Sequence, residues 1–275
     1  MKIFRDKVAA ITGAGSGMGR ALALELASRG CAVAIADIGQ APLDETAELL
    51  RAANATVSTH VVDVADRDAM ERFAAEVVRL HGKVNLIFNN AGVSVTNTIE
   101  KLTYDDFEWL MNINFWGVVH GTKAFLPYLK QVDEAHIINT ASIFGVVAFP
   151  TQGAYNASKF AVRGFTEALR QELADTHIGV SCVQPGGVKT NIVKTSRYYA
   201  QDNEAPTKDE MVQNFERMAA LTPQQAAQQI LAGVERNRGR VLVGKDAKLL
   251  AWVQRLFPES YGRRLNAMTD VMKRN

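Results

Sequence analysis

The run Thr12-Gly-Ala-Gly-Ser-Gly-Met-Gly19 limits what this chain can fold into more than any other feature. It stands behind the apolar segment Val8-Ala-Ala-Ile11 and ahead of a helical pattern from Arg20 to Arg29, with Leu22, Leu24, Leu26 and Ala27 on its apolar side. Glycine at alternate positions lets a backbone pass close to a phosphate, and the following helix aims its first N–H groups at the anion. The spacing is T-G-x-x-x-G-x-G, not the dinucleotide pattern G-x-G-x-x-G. Alone, the run therefore also reads as a tight strand-to-helix turn. The residues downstream of it favour a nucleotide. Gly30 closes the helix as a C′ glycine, and Ala32-Val-Ala-Ile-Ala36 reads as a buried strand ending at Asp37. An acid about 20 residues beyond the glycines is placed to accept hydrogen bonds from an adenosine ribose. Asp37 also repels a 2′-phosphate, and neither Ser16 nor Ile38 offers a cation to hold one. NAD is favoured on that ground, with NADP as the alternative; the plain reading of Asp37 is an N-cap or turn aspartate.

The rest of the chain keeps alternating. Strand patterns at 56–62, 84–88, 136–139, 180–183 and 241–243 are separated by helical patterns at 42–53, 66–80, 155–174 and 223–236, and by a long one opened by Thr103 and Asp106 and running through Leu110, Val118 and Phe125. This predicts an α/β fold, a doubly wound parallel sheet with helices on both faces. No linker or repeat interrupts it, so one domain over 1–245 is expected, with 246–275 as a helical extension of it. A formal net charge of +2 and the absence of a basic block argue against nucleic acid as partner. No stretch is long and apolar enough to span a membrane or to serve as a signal peptide. Cys31 and Cys182 lie in buried strand patterns and read as packing residues, which fits a cytoplasmic protein. The five histidines lack metal-ligand spacing, so no metal site is expected.

Two stretches break the pattern. Thr195–Pro206, with Arg197, Tyr198, Tyr199 and Asp202, is polar and turn-rich where a short loop belongs; it reads as a lid, or as a surface excursion or oligomer contact. Beyond Gly244, an amphipathic helix carries Leu249, Leu250, Trp252, Val253, Leu256 and Phe257, followed by Arg263, Arg264, Lys273 and Arg274. Docking onto the body or a neighbouring subunit is its first reading, a membrane-surface helix its second.

Tyr155 and Lys159 are spaced i,i+4 and share a helix face. A fixed ammonium beside a phenol favours phenolate and so lowers its pKa, which suits general acid–base work on an alcohol or ketone. Ser142 closes the preceding strand, at the sheet edge where ligands of such folds bind, and can hydrogen-bond a substrate oxygen; a turn serine is the plain alternative. Asn89-Asn90-Ala91-Gly92 follows the fourth strand, its small residues leaving room for a cofactor. Asn114 is a poor mid-helix residue whose polar role is worth suspecting, although its neighbour Asn112 weakens that inference.

Together, Thr12-Gly-x-x-x-Gly17-x-Gly19, Asp63, Asn89-Asn-Ala-Gly92, Asn114, Ser142, Tyr155-x-x-x-Lys159 and Pro185-Gly186 make the chain resemble the short-chain dehydrogenase/reductases of ordinary length, over roughly residues 5–245. The resemblance implies a single-domain Rossmann fold with a seven-stranded parallel sheet, assembled as a homotetramer. It implies Tyr155 as the proton-exchanging residue, Lys159 lowering its pKa and bonding the nicotinamide ribose, Ser142 polarising the carbonyl, and Asn114 holding a water that links Lys159 to solvent. Gly13, Ser16, Gly17, Met18 and Gly19 then belong to the cofactor loop, with Asp37 and Ile38 behind them. By the same resemblance, Asp63 contacts the adenine, Asn90 packs against the adenosine ribose, and Val188 and Thr190 bind the nicotinamide carboxamide, with Val64, Ala91, Gly92, Pro185 and Gly186 also counted in the cofactor site. Gly187 departs from the larger residue many members carry and loosens the pocket floor. Val93, Ser94, Phe144, Phe149 and Gln152, near the catalytic residues in sequence, are the expected pocket lining. They include no cation, which points to a neutral, rather apolar alcohol/ketone substrate, although Lys194 and Arg197 lie nearby. A catalytically idle nucleotide sensor or scaffold, and a non-redox lyase, are the rival readings.

Overall fold

The computed structural model describes residues 3–200 and 206–264. Strands β1 (Val8–Thr12), β2 (Ala32–Asp37), β3 (Val57–Val61) and β4 (Leu86–Asn89) alternate with helices α1 (Gly17–Ser28), α2 (Gln40–Ala52) and α3 (Arg67–His81). A two-residue strand β5 (Val95–Thr96) precedes α4 (Tyr104–Met111) and α5 (Gly117–Leu129). Then come β6 (Ala135–Thr140), α6 (Gly153–Glu172), β7 (Ile178–Pro185), the short β8 (Arg197–Tyr198), α7 (Lys208–Met218), α8 (Pro223–Glu235), β9 (Arg240–Val243) and α9 (Lys245–Leu256). The main sheet has seven parallel strands in the order β3-β2-β1-β4-β6-β7-β9. This is the expected Rossmann arrangement. The chain reverses its direction of travel between β1 and β4, and the crevice beyond the strand C-termini at that point is where such sheets bind ligands.

Strand residues feed two cores. Ala9 and Ile11 of β1 face Leu22, Leu26, Leu43 and Ile230 on α1, α2 and α8. Val8 and Ala10 face Met70, Phe73, Val77 and Phe125 on α3 and α5. Burial on both faces is why β1 and β2 read as unbroken apolar runs without polar alternation. Inside the sheet, Asn89 Nδ2 donates to Asn139 Oδ1 (2.8 Å) and Asn139 Nδ2 to Thr166 Oγ1 (3.1 Å), tying β4, β6 and α6 together.

Three expectations are corrected. The long helix from Thr103 is interrupted by a π-helical turn at Asn112–Trp116, between α4 and α5. Thr103 Oγ1 does accept from Asp106 N–H (3.1 Å), but the Asp106 carboxylate bonds Arg197. The 195–200 segment is not a free surface excursion: β8 pairs in parallel with β5, Arg197 Nη1 sits 2.7 Å from Asp106 Oδ1, and its guanidinium lies 3.7 Å from the Trp109 ring centroid. In α9 only part of the expected apolar face docks: Leu250 and Val253 pack beside buried Ala247 and Ala251, while Leu249, Trp252, Leu256 and Phe257 are exposed. Asp202, Lys273 and Arg274 lie outside the described residues. No helix among the described residues is long and apolar enough to cross a membrane.

One buried group makes stability acid-sensitive. Ser181 Oγ donates its proton to Arg238 O (2.7 Å), so His136 must donate from Nε2 to Ser181 Oγ (2.8 Å). His136 Nδ1 then carries a bare lone pair with no hydrogen-bond partner among the described residues. It faces Gly179, where a Cβ would stand 2.6 Å from the ring Cε1. Burial pushes this imidazole from 6.5 down to about 3. Between those values the unfolded chain binds a proton that the folded chain refuses. The stabilisation is complete above the unfolded pKa and lost as pH falls towards 3, at about 1.4 kcal/mol per pH unit. Urea unfolding at pH 7 and pH 5 is expected to show this loss, and His136→Gln to flatten it; equal pH dependence in both proteins refutes the assignment.

Candidate active site

The glycine loop joins β1 to α1 at the C-terminal edge of the sheet, and it can turn there because Gly13 and Gly17 take φ of +65° and +52°, accessible at little cost only to glycine. The N-cap of α1, Ser16, makes no side-chain capping bond, and the first turn carries no acid. The opening N–H groups of α1, on Gly17, Met18 and Gly19, are therefore left for an external acceptor. Thr190 reaches across to this loop: a Cβ on Gly17 would meet Thr190 Cγ2 at 3.2 Å.

Asp37 ends β2 beside the loop. Its Oδ2 accepts from Gly15 N–H (2.9 Å) and its Oδ1 from Gly39 N–H (3.2 Å). Gly15, which the sequence left without a role, thus supplies the amide that orients Asp37. Arg20 reaches the same turn but is spent on Gly15 O, Pro42 O, Thr46 Oγ1 and the Glu45 carboxylate. Ile38 is exposed. Asp63 is exposed too, and its Oδ1 accepts from Ala65 N–H (2.9 Å). Val64 is buried against Gly117, and its carbonyl accepts from His120 Nδ1 (3.2 Å).

The loop after β4 is stitched to the glycine loop. Thr12 Oγ1 accepts from Asn90 N–H (3.0 Å) and Ala91 N–H (3.1 Å), and Asn90 Nδ2 donates to Thr12 O (3.0 Å). Asn90 Oδ1 is buried without a hydrogen-bond partner among the described residues. A buried orphan acceptor is costly unless a ligand satisfies it. With the uncapped helix start, it makes these residues a fit for a nucleotide bearing donor hydroxyls and phosphates.

Ser142, Tyr155 and Lys159 come together at the ends of β6 and α6. The Tyr155 hydroxyl lies near enough to Ser142 for that hydroxyl to favour its phenolate, and Ser142 Oγ accepts from Phe144 N–H (3.1 Å). Lys159 is buried, donates from Nζ to Thr140 O (3.1 Å), and lies 5.6 Å from the Tyr155 ring centroid. Burial dominates both groups. It pushes the Tyr155 phenol up to about 12, against the pull of the Ser142 hydroxyl, and pulls the Lys159 ammonium down to about 8. The lowering of the tyrosine expected from the lysine is not found: desolvation, which disfavours charge on either group, sets both shifts.

Asn114 sits in the π-helical turn, fully buried. Its Oδ1 accepts from Val93 N–H (2.8 Å), and its Nδ2 donates to Val93 O (2.9 Å) and Ser158 Oγ (3.2 Å). The side chain therefore clamps the backbone beyond Gly92 and is not free to present its amide to solvent. Phe144 stacks on Phe149 (4.6 Å between centroids) and meets the Tyr155 ring edge-on at 5.9 Å. Gln152 bridges Ser94 Oγ (3.2 Å) and Thr96 Oγ1 (2.8 Å). Pro185 ends β7, and Gly186 donates its N–H to Val243 O (2.9 Å). Arg197 is committed to Asp106 and Trp109, so it is no substrate cation, and Lys194 is exposed. The sequence reading missed Asp246, which accepts from Gly187 N–H (2.6 Å) across 59 residues of chain.

Residues 7–200 match the family model described as short chain dehydrogenase. The chain is 43% identical over 266 residues to "Putative oxidoreductase SadH" of Mycobacterium tuberculosis, covering 96% of this chain and 95% of that protein. It is 34% identical over 250 residues to C alpha-dehydrogenase of Sphingobium sp. strain SYK-6, covering 86% and 80%. Among solved structures, a short chain dehydrogenase/reductase from Burkholderia phymatum in complex with NAD superposes with a TM-score of 0.85 at 35% identity, over 94% of this chain and 96% of that one. A matched span that takes in the glycine loop, Ser142, Tyr155 and Lys159, with likeness along nearly the whole chain, makes this protein a member of the short-chain dehydrogenase/reductase family of oxidoreductases.

Proposed function

We propose that this protein is an NAD-preferring dehydrogenase/reductase that interconverts a secondary alcohol and a ketone of neutral, rather apolar character. The observation that carries the reading is Tyr155 beside Ser142, with Lys159 buried one helical turn further on and held to Thr140 O, together with a helix N-terminus left uncapped. A nicotinamide cofactor supplies or accepts the hydride when bound. Gly13, Ser16, Gly17, Met18 and Gly19 would hold its pyrophosphate, Asp37 and Asn90 its adenosine ribose, Asp63 and Val64 its adenine, and Val188 and Thr190 its carboxamide. The Ser142 and Tyr155 hydroxyls bind the reacting oxygen. Tyr155 gives that oxygen its proton in reduction and takes one back in oxidation, and Lys159 stabilises the phenolate left between the two. A phenol held near 12 is fully protonated at neutral pH, the form that reduction requires.

Two observations support the finer terms. Arg20, the cation that reaches the Asp37 turn among the described residues, is tied to Gly15 O and to Glu45, which disfavours a 2′-phosphate. The Phe144–Phe149 stack walls Tyr155 with aromatic surface and no charge, which suits an apolar ketone. The test is a panel of neutral ketones and alcohols run with NADH or NAD and with the phosphorylated cofactors. Turnover at least about tenfold more efficient with the unphosphorylated cofactor is expected, and Asp37→Ser is expected to narrow that ratio. Cofactor binding without turnover on any member of the panel would leave the idle-sensor reading in its place.

The pH profile supplies a second check. Lys159 keeps its charge below about 8 and loses it above. Reduction kcat/KM is therefore expected to fall as pH rises through that value, because an uncharged amine no longer supports the phenolate. A flat profile up to the denaturation limit removes Lys159 from that role.

A further inference from the structure

Helix α9 touches both loops on which the proposed chemistry depends. Through Ala247 and Ala251 it packs on Ile143, Val146 and Val147, immediately behind Ser142. Its first turn carries Asp246, whose Oδ2 accepts a 2.6 Å hydrogen bond from Gly187 N–H. The carboxylate lies directly over Gly186, where a Cβ would overlap Oδ2 and stand 2.5 Å from Oδ1. Only glycine at 186 leaves room for it. The Gly187 carbonyl accepts from Leu221 N–H (3.3 Å), and Lys189 N–H donates to Leu221 O (2.9 Å), so the stretch is held from two sides. A hydrogen bond to a carboxylate belongs to the strong class, and the N-terminal turn of a helix favours the negative charge.

We propose that Asp246 is a positioning residue that fixes the Gly186–Thr190 backbone, and with it Val188 and Thr190, for the nicotinamide end of the cofactor. This rests on the proposed cofactor placement. Two adjacent glycines have more backbone freedom to lose than any other pair. Without the carboxylate, the loop spreads over several conformations, and apparent affinity falls by the fraction that remains binding-competent. The same anchor bears on the phosphate end, because Thr190 packs against Gly17.

The experiment compares wild type, D246N and D246A by amide hydrogen exchange at 187–190 in the free protein, by NADH titration, and by steady-state kinetics. Asparagine keeps an acceptor oxygen but loses the charge; alanine loses both. Exchange is expected to quicken in the order wild type, D246N, D246A. NADH Kd should rise about threefold in D246N and about tenfold or more in D246A. The cofactor KM should follow Kd while the ketone KM stays put, a split that general loosening of the fold does not produce. Identical exchange and Kd across the three proteins would overturn the proposal. If D246A does not fold, wild-type values in D246N overturn it alone. A wild type that binds no NADH refutes the proposed function instead, and the exchange order still decides whether Asp246 holds the loop.

Discussion

Tyr155→Phe is expected to lower kcat by about a thousandfold or more while leaving NADH affinity within about twofold of wild type. The substitution deletes one oxygen and keeps the ring, so the edge-on contact with Phe144 survives. Ser142 keeps its bond from the Phe144 amide. Lys159 retains its bond to Thr140 O, so the end of β6 stays joined to α6. What disappears is the hydroxyl proposed to pass a proton to the reacting oxygen. Steady-state turnover and fluorescence titration of NADH separate the two effects. Turnover within about tenfold of wild type would take the proton from another donor and sink the role given to Tyr155. A parallel collapse of NADH binding would mean that the hydroxyl organises the cofactor site instead. Thermal melting distinguishes either outcome from unfolding, and it should be unchanged or slightly raised, because burying a phenol is unfavourable unless its hydroxyl is well bonded.

The sheet was easy to read because the middles of β1, β2 and β4 are buried on both faces and therefore apolar, with helices of regular period between them, and β6 keeps an apolar centre at Ile137 and Ile138 between buried polar residues. Ser142, Tyr155 and Lys159 were legible for a related reason. Ser142 lies just past the end of β6, and Tyr155 and Lys159 lie in the first two turns of α6, spaced to share a face. What local pattern cannot report is a partner distant in sequence. Asp246 bonds Gly187 across 59 residues, and nothing near Lys245 distinguishes it from an ordinary first-turn acid. Likewise β5 and β8 are two residues each, too short for a period, and exist because Arg197 finds Asp106 and Trp109. The π-helical turn at Asn114 was half visible: asparagine in mid-helix flagged the position, but only the clamp on Val93 explains it. α7 had a readable start, since Thr207 and Glu210 form a capping box, yet it buries no residue and so carries no strong stripe. In α9 the reading followed the large apolar residues, of which Leu250 and Val253 do dock, but it passed over Ala247 and Ala251, the residues of the helix that are buried.

Gly19→Ala tests the glycine loop, and its effect is expected to be large in both stability and binding. A Cβ at 19 would overlap Gly13 O and stand 2.7 Å from Gly13 C and 2.8 Å from Asn90 Nδ2. Neither neighbour has room to give. Gly13 is fixed by its positive φ and by Ala91, whose Cα would lie 2.8 Å from a Cβ at 13. Asn90 is held by Thr12 through its backbone N–H and its side-chain amide. The strain must therefore move the β1–α1 turn itself, at about 1–3 kcal/mol or somewhat more for overpacking against backbone. The first-turn N–H groups of α1 would swing away from any phosphate, so NADH Kd is expected to rise about a hundredfold or more. Gly164→Ala is the matched control. It places the same methyl in the exposed interior of α6, where nothing lies within 4 Å, and it should stabilise the fold by about 0.5–1 kcal/mol because alanine has less backbone entropy to lose. Chemical denaturation and NADH titration of the two variants read both quantities. If Gly19→Ala binds NADH as wild type does, the run from Thr12 to Gly19 is only a tight turn between β1 and α1, and the cofactor must lie elsewhere. If Gly19→Ala melts like wild type but fails to bind, the turn tolerates the methyl and the glycine is there for the phosphate alone.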